Sequence, residues 1–192
     1  MTSERLREEL SARGALLDGH FRLSSGRHSD RFIQKFRILE DPSIVMPIAQ
    51  ALGARAAAYQ PTIVVSAAVG GIVLGYEVAR QLGLKAIFVE KEDGAARLRR
   101  GFTLSTADRV LVVEDVVTTG GSVREVIDVV RAQGAQVVAV GVIVRRSEVD
   151  FGVPTVALLD FPVESYEPAS CPQCAAGLAL TEPGSRFLSR PA

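Results

Sequence analysis

The sequence predicts an α/β protein built on an open, mostly parallel sheet flanked by helices. Three observations carry that prediction. First, apolar runs such as TIVVSAA (62–68), AIFVE (86–90), RVLVVED (109–115), VVAVGVIV (137–144) and TVALL (155–159) are continuous rather than alternating, as in strands buried on both faces. Second, helical patterns of about ten residues separate several of these runs and end at Gly83 and Gly134, giving βαβ units. Third, 192 residues with 47% apolar content suffice for one core, and neither internal repeats nor a low-complexity linker divides the chain. The expected organisation is a single domain over 1–192.

The elements follow in order. Residues 3–13 form an amphipathic helix, with Thr2 or Ser3 as cap, Leu6 and Leu10 on one face and Gly14 at its end. Asp18-Gly19 marks a turn. Phe21 and Leu23 alternate, as do Phe32, Gln34 and Phe36, so two short strands flank a polar turn at 24–30. Asp41-Pro42 starts a helix that runs toward Tyr59, with Pro47 as a possible kink. The parallel strands begin after Pro61, with helices at 72–82 and 122–133. From 165 to 192 the Pro, Ser and Gly content predicts an irregular tail.

Composition excludes several classes of function. Lys plus Arg and Asp plus Glu number 22 each, for a net charge of zero, which argues against broad binding to nucleic acid or to a membrane surface. No apolar run reaches the ~18 residues of a membrane span. The charged N-terminus lacks the apolar centre of a signal peptide, so the cytoplasm is the expected location. Cys171 and Cys174 form one CPQC. Alone it is half of a tetrahedral zinc site, and His20 and His28 are far away in sequence, so no protein metal site is expected. The pair reads as a turn in the tail, a redox pair or a metal site shared with another chain.

In open α/β sheets ligands bind beyond the carboxyl ends of the strands. That rule gathers residues 68–71, the TTGGS loop (118–122) and the arginines after Val144 on one rim. In TTGGS, Gly120 and Gly121 permit close backbone approach, Thr118, Thr119 and Ser122 offer hydroxyls, and the following helix N-terminus favours an anion. A Gly loop between strand and helix is by itself a weak signal, and the nucleotidase pattern GxxxxGK[ST] is absent, as is the dinucleotide spacing at this loop. Glu114 and Asp115 just before it could be solvated or capping groups, or could serve sugar hydroxyls and Mg²⁺. A ligand with a phosphate, a ribose and Mg²⁺ would use both halves.

The contiguous stretch VLVVEDVVTTGGS (110–122) closely resembles the phosphoribosyl diphosphate (PRPP) motif of the type I phosphoribosyltransferases. FRLSSGRHSDRFI (21–33) and IVRRSE (143–148) are similar to the substrate-covering segment and the carboxylate-pairing arginine of the orotate phosphoribosyltransferases within that family. The resemblance covers all but roughly the last twenty residues. It implies that residues 1–40 form an N-terminal hood and that the reaction joins orotate to PRPP, giving orotidine 5′-monophosphate and pyrophosphate in pyrimidine synthesis. It implies PRPP contacts from Lys91, Glu114, Asp115, Val116, Val117, Thr118, Thr119, Gly120, Gly121 and Ser122, with TTGGS on the 5′-phosphate and the acids on the ribose. It implies orotate contacts from Thr118 and Arg146. Asp115, Lys91, Arg97 and Arg99 become the candidate catalytic residues, Mg²⁺ is bound mainly through PRPP and pyrophosphate, and the assembly is a homodimer.

The charged segment EKEDGAARLRRG (90–101) reads as a lid over the reaction, or else as an exposed hairpin. Here the chain departs from the common family pattern. Glu90-Lys91 stands where many members have Arg-Lys, and no histidine or further lysine follows, leaving Arg97, Arg99 and Arg100 to act on pyrophosphate. Val69-Gly70 stands where the family often has Tyr-Lys. Ser24 stands where some members have a substrate-contacting lysine, with Ser25, Arg27 and His28 as the remaining polar candidates. Competing readings are a phosphoribosyltransferase for a purine or uracil, disfavoured by Arg146 because a neutral base offers no carboxylate, and a non-catalytic regulator that keeps the fold.

Overall fold

A computed structural model describes residues 1–23 and 25–183 of the chain. Ser24 and the end of the tail, two places where the sequence raised expectations, lie outside the described residues. The six-stranded sheet is built from β3 (Ile63–Ala67), β4 (Lys85–Glu92), β5 (Ala95–Leu98), β6 (Arg109–Val117), β7 (Gln136–Arg145) and β8 (Thr155–Asp160), in the order β5-β4-β3-β6-β7-β8. All neighbours are parallel except β4 and β5. The strand order reverses direction between β3 and β6, which places the ligand crevice at their carboxyl ends.

Side-chain alternation along β6 shows why this strand has no polar residue between Arg109 and Glu114. Leu111 and Val113 enter the core on one face, while Val110 and Val112 enter the core on the other. On the first face lie α1 (Ser3–Ala12), α3 (Pro42–Ala56) and α4 (Gly70–Leu82), with Leu6, Leu10, Ile48, Leu52, Leu74 and Val78 fully buried. The second face is covered by α5 (Gly121–Ala132) through Val123, Val126, Ile127 and Val130. Burying one such side chain stabilises by about 1.5–3 kcal/mol relative to leaving it exposed.

Local signals set the helix ends. The Thr2 hydroxyl accepts from the Arg5 N–H, and the Asp41 carboxylate accepts from the Ser43 N–H at 2.9 Å. Both satisfy a first-turn donor that has no partner inside its helix. Gly83 ends α4 with a φ of 69°. Pro47 sits inside α3 without ending it. The bond it forfeits falls on the carbonyl of Ser43, exposed in the first turn, where water can serve.

The N-terminal segment forms a separate antiparallel hairpin, β1 (Leu16–Arg22) and β2 (His28–Ile33). The expected second strand was placed too late. It ends at Ile33, and Phe36 instead opens the short helix α2 (Phe36–Leu39), where it is exposed. The apolar alternation through Gln34 resembles a strand because one helical turn leaves no periodicity to read. The charged segment after β4 is an antiparallel hairpin with its turn at Asp93-Gly94, both at positive φ.

The tail is less irregular than its composition suggests. Tyr166 bridges His28, with both backbone bonds at 2.8 Å, and Thr181 pairs alongside Phe21. Between these bridges the short helix α6 (Pro172–Ala175) carries CPQC back over the hairpin. There Cys171 and Cys174 meet His20 and His28, with the four ligand atoms all within 4.8 Å of one another. The expectation that these histidines are too remote to partner the cysteines is therefore corrected. Sequence separation was a poor guide because the tail crosses the β1–β2 hairpin at the very strands that carry both histidines.

Candidate active site

The carboxyl end of β6 delivers Glu114 and Asp115 directly before the TTGGS loop. Both acids are buried, at 7% and 2% exposure. Short local bonds fix them. The Asp115 N–H donates to Glu114 Oε1 at 3.0 Å, and the Val116 N–H donates to Asp115 Oδ1 at 2.7 Å. Their environments differ. Glu114 lines a cleft of about 330 Å³ with Lys91, the whole loop from Thr118 to Ser122, and Glu125. Asp115 turns toward Gly70 and Lys35, whose Nζ lies 2.9 Å from Oδ2.

This asymmetry divides the charge. Burial, and then repulsion from Asp115, push the Glu114 carboxyl up to about 8, with the Asp115 backbone N–H and Lys35 opposing the shift. Glu114 is thus largely protonated at neutral pH in the free protein, while Asp115 has the lysine as counter-ion. Lys35 was missed in the sequence, where it is a lone lysine in FIQKF. The available signal was indirect, since a buried acid needs a partner and the end of β2 is what lies across from it.

Glycine is required in two places. A Cβ on Gly70 would sit 2.0 Å from Asp115 Oδ2 and 3.1 Å from Lys35 Nζ. The Val69-Gly70 departure from the family pattern therefore makes room for this ion pair. Gly120 has a φ of 77°, and a Cβ there would lie 2.8 Å from Phe151 and from Val149. The loop is thereby pressed against the segment after β7. The Ser147 hydroxyl donates to the Thr118 carbonyl, closing the same contact.

α5 begins at Gly121 with no side-chain cap, and the first backbone bond to Gly120 O comes from the Arg124 N–H at 2.9 Å. The N–H groups of the first turn lack intrahelical acceptors, and with the exposed Thr118, Thr119 and Ser122 they form a seat for an anion. Val116 and Val117 line the same cleft.

The two arginines after Val144 have different fates. Arg145 is bound to Asp160 at 2.6 Å, which raises its pKa. Arg146 is in no ion pair among the described residues. Its backbone N–H donates to Val117 O at 2.8 Å, placing it beside the phosphate loop. Its Nε is buried without a hydrogen-bond partner, and burial pushes the guanidinium below its ordinary value. A buried cationic donor with nothing to bind is costly unless a ligand meets it.

The hairpin cations stand apart. Arg97 and Arg99 face Glu92 at 3.9 and 3.2 Å, and Arg100 faces Glu90 at 3.0 Å. Only Lys91 lines the cleft, and it pairs with Glu125 at 2.9 Å. Arg97 and Arg99, expected in catalysis, are therefore not brought to the loop in this conformation.

An open parallel sheet with a hydroxyl-rich anion seat and two buried acids at its switch point defines a phosphoribosyl-transfer site. In agreement, residues 37–150 match the phosphoribosyl transferase domain family. Orotate phosphoribosyltransferase from Caldanaerobacter subterraneus subsp. tengcongensis is 46% identical, covering 98% of this chain and 100% of the relative. That of Carboxydothermus hydrogenoformans is 51% identical over 90% and 92%. The crystal structure of orotate phosphoribosyltransferase from Aeropyrum pernix superposes with a TM-score of 0.69 at 30% identity, covering 81% of this chain and 93% of that one. An adenine phosphoribosyltransferase from Thermoanaerobacter pseudethanolicus, at 17% identity and a TM-score of 0.60, shares the fold. The chain belongs to the orotate phosphoribosyltransferase family.

Proposed function

We propose that this chain transfers the phosphoribosyl group of PRPP to orotate, with N1 of the base replacing pyrophosphate at the anomeric carbon. The observation that carries the choice of base is Arg146. A half-buried guanidinium whose buried Nε has no partner suits a carboxylate, which orotate has and uracil or purines lack. The anion seat at Thr118–Ser122 receives the 5′-phosphate. Glu114 and Asp115 accept from the ribose hydroxyls and lie near the positive charge that develops on the ring. Thr118 contacts the base from the loop, and Lys91 reaches the departing pyrophosphate.

Lys35 supplies an ammonium near the place where the family often carries a lysine at the position of Gly70. Its exchange of Asp115 for pyrophosphate would leave the carboxylate free for the sugar. Mg²⁺ fits as a companion of the substrate. Among the described residues no group of three or more acids, histidines or cysteines gathers at this cleft, and Mg²⁺ is commonly held by one or two carboxylates plus phosphates. When bound, it neutralises charge on the leaving pyrophosphate.

Self-association into a homodimer is supported by an apolar surface between α3 and α4. Met46, Val73 and Tyr76 are exposed there, around a groove of about 500 Å³. The cytoplasm is the location this reading proposes. No helix among the described residues is long and apolar enough to cross a membrane.

The test is to mix the protein with PRPP, Mg²⁺ and each base in turn. Orotate should disappear with stoichiometric pyrophosphate release. Turnover of adenine, hypoxanthine or uracil but not orotate would overturn the assignment, and PRPP binding without any turnover would favour a regulator.

A further inference from the structure

None of His20, His28, Cys171 and Cys174 lines the cleft at the end of β6, and the phosphoribosyl-transfer chemistry leaves their cluster unexplained. His20 Nε2 lies 3.0 Å from His28 Nδ1, 3.5 Å from Cys171 Sγ and 3.6 Å from Cys174 Sγ, and Cys174 Sγ lies 3.2 Å from His28 Nδ1. Bonds of about 2.0–2.1 Å to nitrogen and 2.3 Å to sulfur in a tetrahedron give ligand-to-ligand edges of roughly 3.3–3.8 Å. The observed separations approach these edges, and none of the four atoms is more than 4.8 Å from another.

Hydrogen bonding alone does not account for the arrangement. His20 Nδ1 lies 2.9 Å from the Leu178 carbonyl, which can only accept, so that nitrogen carries the proton. In the neutral ring Nε2 then offers one lone pair. Three other heteroatoms crowd that single lone pair, and at most one of them can donate to it. One cation among them would be met by all four groups. The contact between His20 and Leu178 is also the kind of outer hydrogen bond that orients a metal-binding imidazole.

Backbone bridges at Tyr166 and Thr181 and ion pairs from Arg22 and Arg27 hold the tail by polar contacts, with little apolar burial. Leu178 and Leu180 are 55% and 42% exposed, while Cys171, His20 and His28 are nearly inaccessible. A segment that buries polar ligands and exposes its leucines gains little from the hydrophobic effect and needs a cross-link. Both cysteines are free thiols, spaced as CxxC on either side of the first turn of α6.

We propose that His20, His28, Cys171 and Cys174 bind one structural Zn²⁺ that clamps the C-terminal tail across the β1–β2 hairpin. All four coordination positions are filled by protein, so this ion is closed to substrate and has no part in group transfer. Its effect on the enzyme is mechanical. β2 runs from His28 to Ile33 and leads directly to Lys35, so the clamp steadies the strand that presents the lysine to Asp115.

The experiment uses the untagged full-length protein, purified without chelators from zinc-supplemented medium. Elemental analysis should find about one zinc per chain, and Cys174→Ser should lose most of it. Removing the ion with a strong chelator should lower Tm by several degrees, with recovery on adding Zn²⁺. Co²⁺ added to the stripped protein should give the visible bands of a tetrahedral site and a thiolate charge-transfer band. Should Cys174→Ser fail to fold, the wild-type zinc content and the cobalt spectrum still decide. Zinc below about a tenth of an equivalent with no cobalt bands overturns the proposal. So does an intact mass short of the two thiol hydrogens, which would place a Cys171–Cys174 disulfide where the ion should be.

Discussion

The rim at the end of β6 and the β4–β5 hairpin both carry charge, but they hold it in opposite ways. At the rim, Glu114, Asp115 and Arg146 are buried or half-buried, one of them leaves a donor unmatched, and close contacts to Gly70 and Gly120 fix the geometry. On the hairpin, Arg97, Arg99 and Arg100 are exposed and paired to acids of the same hairpin. Exposed pairs of this kind contribute about 0–1 kcal/mol and are readily exchanged. The rim is thus organised before substrate arrives, and the hairpin holds cations that can be redirected at small cost. Substitutions should follow this division, with large losses at the rim and small ones on the hairpin.

The largest loss is expected for Asp115→Asn. It removes a buried acceptor and leaves the Lys35 ammonium without its counter-ion. kcat/KM for PRPP should fall by about 10³-fold, and a loss under about fivefold in steady-state assays would remove Asp115 from the catalytic set. Arg146→Ala comes next. Truncating one partner of a buried charge-assisted pair costs about 2–4 kcal/mol, so kcat/KM for orotate should fall roughly 30- to 1000-fold. PRPP affinity measured by calorimetry should change little, and an equal loss for both ligands would refute the carboxylate role.

These rim residues were also the most legible in the sequence. A strand end, two acids and a Gly-rich turn are contiguous, so VLVVEDVVTTGGS carries strand, loop and helix start in one reading. Arg146 was distinguishable from Arg145 only by resemblance, and the structure supplies the physical reason, because Asp160 on β8 takes Arg145. What sequence could not supply was contact between distant segments. Lys35 reaches Asp115 across 80 residues, and Cys171 reaches His20 across 151. Neither pairing has a local signature, since each depends on where the hood and the tail lie on the finished sheet. The boundary missed at Phe36 falls on a short element, where few residues define any period.

Glu114 sharpens the comparison through pH. Its carboxyl has a folded value of about 8 against an ordinary 4.5. The folded protein therefore binds a proton more tightly than the unfolded chain does. The resulting stability is fully present below about 4.5 and is lost as pH rises through about 8. Glu114→Gln keeps the shape and removes the titration. Its Tm should gain on that of the wild type as pH rises from about 4.5 to 8 and hold that lead above, by an amount equivalent to at most about 5 kcal/mol. Catalytically, the wild-type kcat/KM for PRPP should climb toward pH 8 as Glu114 ionises, and the variant should lose that limb with roughly a tenfold lower plateau. Parallel Tm curves for the two proteins from pH 5 to 9 would show that Glu114 is not held protonated.

The smallest effects belong to the hairpin, and they test whether its charges take part at all. Arg97→Ala and Arg99→Ala break exposed pairs, so each Tm should stay within about a degree of the wild type, whereas Arg100→Ala strips the largely buried Glu90 of its partner and should cost somewhat more. Binding of PRPP to the preformed rim should be nearly unchanged. If the hairpin closes over the reaction, at least one variant should lose several-fold to about tenfold in kcat, because a cation meeting pyrophosphate acts when the leaving charge develops. That loss should shrink as ionic strength rises, since an exposed cation is screened over about 8–10 Å of salt solution whereas the buried Arg146 is not. Three near-normal rates, with no salt dependence, would make the segment a surface hairpin and leave Lys91, and Lys35 beside Asp115, as the cations that meet the leaving group.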